Sequence, residues 1–121
     1  MTNPKKTLLI VDNDQDWLAL LGKMLSSEGY AVLTAHNCAA ALLQAEQGRP
    51  DCVIADLHLG HEDGLTLCRS IKRSPQLKHI PFILLSGAEP EETGCDSKDY
   101  AFVCKSDGTA RLLRAVRKAL D

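Results

Sequence analysis

A chain of 121 residues with 45% hydrophobic and 25% charged content has the composition of a folded globular domain, with room for one core and not two. A formal charge of −2 argues against a general nucleic-acid binder, which carries a basic excess. The apolar run after Lys5-Lys6 ends at Asp12, too short for a signal-peptide core or a membrane span. A single domain over 1–121 is expected.

In chain order, strand-like and helix-like patterns alternate, which predicts βαβ units and an α/β fold with a mostly parallel sheet covered on both faces. The first strand falls at about 7–11. A helix follows, with Asp14 as its N-cap, Leu18, Leu21 and Leu25 on one stripe, and Gly29 past its end. A second strand is expected near 31–35. Asn37 caps a second helix that runs to Gln47 and is stopped by Gly48 and Pro50. The third strand, 52–55, is continuously apolar, as a central strand buried on both faces would be.

A polar loop from Leu57 to Asp63 leads through Gly64 into a third helix carrying Leu65, Cys68 and Ile71, which Pro75 ends. A fourth strand falls near 82–85 and a fifth near 100–104. Between them the alternation calls for a helix, but Pro90, Gly94 and five carboxylates leave almost no apolar stripe, so 87–99 is expected to be a loop or a turn or two. The last helix places Leu112, Leu113, Val116 and Leu120 on one side. Arg111, Arg114, Arg117 and Lys118 are its solvated face and suit its C-terminal charge. The five cysteines are odd in number, include no Cys-x-x-Cys pair and mostly lie in apolar stretches, so they read as reduced core residues of a cytoplasmic protein.

Four polar residues stand just past four of the apolar runs: Asp12, Asp56, Ser86 and Lys105. If the runs are parallel strands, all four gather at the carboxyl edge of one sheet, where open α/β sheets bind ligands. Two grouped carboxylates repel and need a cation; a hard divalent ion with oxygen ligands, Mg²⁺ foremost, suits Asp12 and Asp56 together. Lys105 and Ser86 remain for an anion. One that uses a metal, an ammonium and a hydroxyl at once is most economically a phosphoryl group. His58 and His61 lack a third ligand for zinc, and Trp17 reads as a helix residue packing locally beside the acidic pocket.

These segments resemble the receiver domains of two-component response regulators, over essentially the whole chain. Leu9 to Asp14 is similar to that family's acidic first-strand motif. Asp56 to Gly64 resembles the phosphoacceptor motif, Ile80 to Gly87 the segment ending in the switch hydroxyl, and Phe102 to Lys105 the switch aromatic with its lysine. The resemblance implies a flavodoxin-like (CheY-like) doubly wound sheet of five parallel strands in order 2-1-3-4-5. It implies that Asp56 takes a phosphoryl group from a phosphohistidine on a histidine kinase or histidine phosphotransfer protein. Mg²⁺ would be held by Asp12, residue 13, Asp56 and the backbone carbonyl of His58, with Ser86, Lys105 and Phe102 carrying the switch toward an unnamed downstream partner. It implies no enzyme activity beyond self-phosphorylation and self-dephosphorylation of Asp56, while the charge balance and the short first apolar run point to no direct contact with nucleic acid or membrane.

Three departures from the family pattern carry expectations. Asn13 stands where the family has an acid, so weak Mg²⁺ binding and slow phosphorylation are expected. Ser106 replaces a proline after the lysine, so a trans Lys105-Ser106 bond is expected, with Lys105 displaced from its usual place. Gly60 replaces another proline and is expected to loosen the loop after Asp56. The depleted 87–99 segment points to a monomer whose loop orders on partner binding. The alternative function is a pseudo-receiver that signals by protein contacts without phosphorylation. Asp12-Asn13-Asp14 also resembles the first motif of haloacid-dehalogenase-type phosphatases, but Gln15 stands where that family needs Thr or Val, and its late acidic motif and cap domain are absent.

Overall fold

The computed structural model describes residues 5–87 and 98–121. Its elements run β1 (Thr7–Val11), α1 (Gln15–Ser27), β2 (Ala31–Ala35), α2 (Cys38–Gly48), β3 (Cys52–Asp56), β4 (His58–Leu59), β5 (Glu62–Asp63), α3 (Gly64–Arg73), β6 (Phe82–Ser86), β7 (Ala101–Cys104) and α4 (Thr109–Leu120). The five long strands pair in parallel in the order β2-β1-β3-β6-β7. This is the flavodoxin-like order expected above, with β6 and β7 as the fourth and fifth strands. The expected depleted helix lies largely on 88–97, outside the described residues.

Alternation along each strand divides the core into two layers, because successive side chains leave a strand on opposite faces. Leu8, Ile10, Cys52, Ile54, Ile83 and Leu85 pack under α1 and α4, against Leu18, Leu21, Leu25, Leu112 and Val116. Leu9, Val11, Val53, Ala55, Phe82 and Leu84 pack under α2 and α3, against Ala41, Ala45, Leu67, Cys68 and Ile71. Both faces of the sheet are thus filled, which is why its central strands read as unbroken apolar runs.

The helix caps follow their sequence signals. Asp14 accepts from the N–H groups of Asp16 and Trp17, Asn37 from Ala40, and Asp63 from Thr66, so the starts of α1, α2 and α3 each have a side chain meeting donors that lack a partner within the helix. Two features of the 57–63 stretch were not expected. Leu57 and Leu59 are buried, at 6% and 3% exposure. His58-Leu59 and Glu62-Asp63 form a small antiparallel hairpin, with Gly60 and His61 as its two-residue turn. Gly60 has φ 72°, and a glycine at the first turn position is the mark of a type II′ hairpin. A proline, fixed near −65°, cannot adopt it. Gly60 therefore closes a defined turn and does not loosen the loop. The signal was present in sequence, as Leu57 and Leu59 alternate just before a Gly-X pair.

The thiols match the reduced-core reading among the described residues: Cys38, Cys52 and Cys68 are buried free thiols, and Cys104 is half-buried. Burial pushes the Cys38 thiol up to about 11 and the Cys52 thiol up to about 12. Neither supplies a thiolate near neutral pH.

Candidate functional site

Parallel pairing brings the ends of β1, β3, β6 and β7 to one edge. Val11 lies beside Ala55, Asp56 beside Leu85, and Ser86 beside Cys104, so the residues that close or follow these strands share a rim. Asp12 is 2% exposed, Asp56 7% and Ser86 0%. These are buried polar groups at the end of an apolar sheet, and such groups need partners.

The partners are largely each other. Lys105 Nζ lies 2.8 Å from Asp56 Oδ2 and 3.3 Å from Asp12 Oδ2, so a single ammonium bridges both carboxylates. The other oxygen of each acid is held by backbone: Asp12 Oδ1 accepts from the Asp14 N–H at 2.9 Å, and Asp56 Oδ1 from the His58 N–H at 3.2 Å. The carboxylates are thereby fixed in rotamer and direction.

One cation between two anions leaves a net negative charge. Burial raises the Asp12 pKa above its ordinary value, and the neighbouring Asp56 charge raises it further, against the lowering effects of the Asp14 N–H and Lys105. For Lys105, burial pulls the pKa down, but hydrogen bonds and charge from Asp56 and Asp12 outweigh it, and the ammonium ends above its ordinary value. The pocket holds Lys105 charged and is short of positive charge.

Lys105 opens a short 3-10 turn, Lys105–Asp107. The Lys105-Ser106 bond is trans, as expected, since no cis bond occurs among the described residues. The expected displacement of Lys105 is not found. Two carboxylates pull the ammonium into place without a proline after it, and the Ser106 hydroxyl sits 3.1 Å from Cys104 Sγ. Asn13 is exposed at the rim, its side-chain amide 3.6 Å from where a Cβ on Gly60 would lie, so it rests against the hairpin turn. Phe102 is 8% exposed and lies inward, in the core layer under α2 and α3.

Two residues make site contacts that the sequence reading did not give them. Gly64 passes so close to the end of β3 that a Cβ there would fall 2.5 Å from the Asp56 carbonyl oxygen. Gly64 closes the motif read from Asp56 onward, and the reason for glycine is this backbone contact. Trp17, read as local packing, presents its ring to the Lys105 ammonium, 4.9 Å from Nζ to the ring centroid. Its place one turn into the helix after Asp12 was the available signal. Among the described residues, no group of three or more His, Cys, Asp or Glu side chains gathers in a metal-binding arrangement.

A family model described as the response regulator receiver domain matches residues 8–117. Response regulator PleD of Caulobacter vibrioides is 33% identical over 113 residues, covering 91% of this chain and 25% of that protein. The chain spans about a quarter of the length of the curated relatives it first matches. Response regulator TrrA of Thermotoga maritima, solved in complex with Mg²⁺ and BeF, is 30% identical with a TM-score of 0.84, over 95% of this chain and 99% of that one. The signal receiver domain of a signal transduction histidine kinase from Syntrophus aciditrophicus is 28% identical with a TM-score of 0.82, over 95% of this chain and 89% of that one.

Proposed function

The chain belongs to the response regulator receiver domain family of two-component signalling, and from that premise we propose that it is a phosphoacceptor switch with Asp56 as the acceptor. The observation that carries this is the bridging of Asp56 and Asp12 by Lys105, at the carboxyl edge of a fully packed sheet.

In the proposed reaction a carboxylate oxygen of Asp56 attacks the phosphorus of a phosphohistidine on a histidine kinase or phosphotransfer protein. The new O–P bond forms as the P–N bond breaks, and the imidazole leaves with the electron pair and takes up a proton. The His58 N–H keeps the acceptor carboxylate oriented throughout. Lys105, already 2.8 Å from Asp56 Oδ2, pairs with the phosphoryl oxygens, and the Ser86 hydroxyl at the end of β6 donates to them. The added charge of about −2 then draws β6 and β7 toward the phosphate, and the surface beside Phe102 passes the change to a partner.

The donor set fits Mg²⁺. Asp12 and Asp56 carboxylates, the Asn13 amide oxygen and the His58 carbonyl are hard oxygen donors, and the raised Asp12 pKa marks a pocket in need of a cation. When bound there, Mg²⁺ would neutralise charge on the phosphoryl oxygens. With an amide in place of a third acid, affinity is low, and Asn13→Asp should tighten Mg²⁺ by roughly tenfold in a Trp17 fluorescence titration.

The test is incubation with acetyl phosphate and Mg²⁺, read by intact-protein mass. One phosphoryl group per chain, lost in Asp56→Ala, is expected. An unmodified wild-type chain, also silent toward beryllofluoride, would overturn the proposal in favour of a pseudo-receiver.

A further inference from the structure

We propose that Trp17 is a positioning residue for Lys105: its indole face holds the ammonium at the acidic pair, in a chain that lacks a proline after that lysine. The proposal rests on the phosphoacceptor reading only for its kinetic consequence.

Lys105 is a long, flexible side chain, 28% exposed, at the start of a short turn whose next residue is serine. Its carboxylate partners are the groups that the proposed reaction engages. When either carboxylate is drawn to a metal before a phosphoryl group arrives, part of the pull on the ammonium is lost. A ring face attracts a cation through its quadrupole, whatever the charge state of the acids. The ammonium lies 4.9 Å from the Trp17 centroid, inside the ~6 Å range of that attraction.

Trp17 is itself well placed to bear this load. Its backbone N–H donates to the Asp14 capping carboxylate at 3.2 Å, and its ring packs on the core layer under α1 and α4. Packing alone does not account for an indole. Its Nε1–H is buried without an acceptor among the described residues, an unfavourable state that leucine or phenylalanine would avoid. What tryptophan adds is the strongest cation-binding face of the common side chains.

The experiment pairs carbon–proton NMR of the Lys105 Cε methylene with the acetyl phosphate rate, in the full chain and in Trp17→Phe and Trp17→Leu. Expected are an upfield ring-current shift of the methylene in the wild type and retention of most of it in Trp17→Phe. Trp17→Leu should lose the shift and phosphorylate about fivefold more slowly. A merely structural role would treat phenylalanine and leucine alike. An unshifted methylene in the wild type overturns the proposal, as does a folded Trp17→Leu chain phosphorylated at the wild-type rate. If leucine prevents folding, the phenylalanine variant decides: loss of the shift in a folded Trp17→Phe chain overturns the proposal. A shift that Trp17→Leu abolishes, in a chain that nowhere accepts phosphate, upholds the Trp17 contact and overturns the phosphoacceptor reading instead.

Discussion

Asp51 and Asp56 bracket the same strand, β3, and their surroundings could hardly differ more. Asp51 is paired with β1: its Oδ2 accepts from the Thr7 N–H at 2.8 Å while its own N–H donates to the Thr7 carbonyl at 2.7 Å. Nearby, Lys72 Nζ donates to the Ile80 carbonyl at 2.7 Å. At the other end Asp56 shares one ammonium with Asp12, and negative charge is left over. A carboxylate met by a neutral backbone donor finishes a sheet edge. Two carboxylates that share one cation leave a site open to another.

This contrast can be broken or sharpened by substitution. The largest effect is expected at Gly64, because a Cβ would meet the Asp56 carbonyl at 2.5 Å and Leu84 Cδ1 at 2.8 Å. Gly64→Ala should lower unfolding stability by about 3 kcal/mol in a denaturant titration, and a loss below about 1 kcal/mol would mean the backbone yields there. Asp51→Ala strands the Thr7 N–H and should cost about 2 kcal/mol while leaving the acetyl phosphate rate unchanged. A slower rate would erase the distinction between the two ends of β3.

Asp12→Asn should act with the opposite sign. Because the folded pKa of Asp12 is raised, first by burial and then by Asp56, its ionisation disfavours the fold. That penalty is absent at low pH and grows as pH rises from the ordinary carboxylate value through the raised one. The variant should therefore melt higher than wild type near pH 7, show no such advantage near about pH 3, and lose phosphorylation. A lower melting point at pH 7 would show that the Lys105 pair outweighs the burial.

The smallest effect at neutral pH belongs to Cys52, whose thiol burial pushes from 9.0 up to about 12. Its contribution to stability is complete below about pH 9 and is lost as pH climbs toward the raised value. At pH ~8 Cys52 should react with a thiol reagent only after denaturant is added. Mass mapping that finds it labelled in the native chain would contradict that burial.

Much of the fold was legible in the residues. Each of the five long strands lies within a residue or so of its apolar run, and Asp14 and Asn37 cap the helices they were expected to cap. Asp12, Asp56, Ser86 and Lys105 come to one rim because parallel strands carry their final residues in the same direction. The β4–β5 hairpin left only a faint signal, Leu57 and Leu59 before a Gly-X pair, since two-residue strands are too short to establish a period. The replacements at Gly60 and Ser106 misled for a related reason. Each was weighed as a missing proline, whereas a positive φ at one and two nearby carboxylates at the other set the outcome.

Local rules thus determined the elements, their caps and the polar residues that end them, because strand alternation and helix capping act over a few neighbouring positions. Only the tertiary structure decided how charge is shared among those residues. Lys105 reaches Asp12 across 93 positions of sequence, and Trp17 meets the same ammonium from another helix. Electrostatic and ring–cation attractions depend on distance in space and on burial, neither of which is written in residue order.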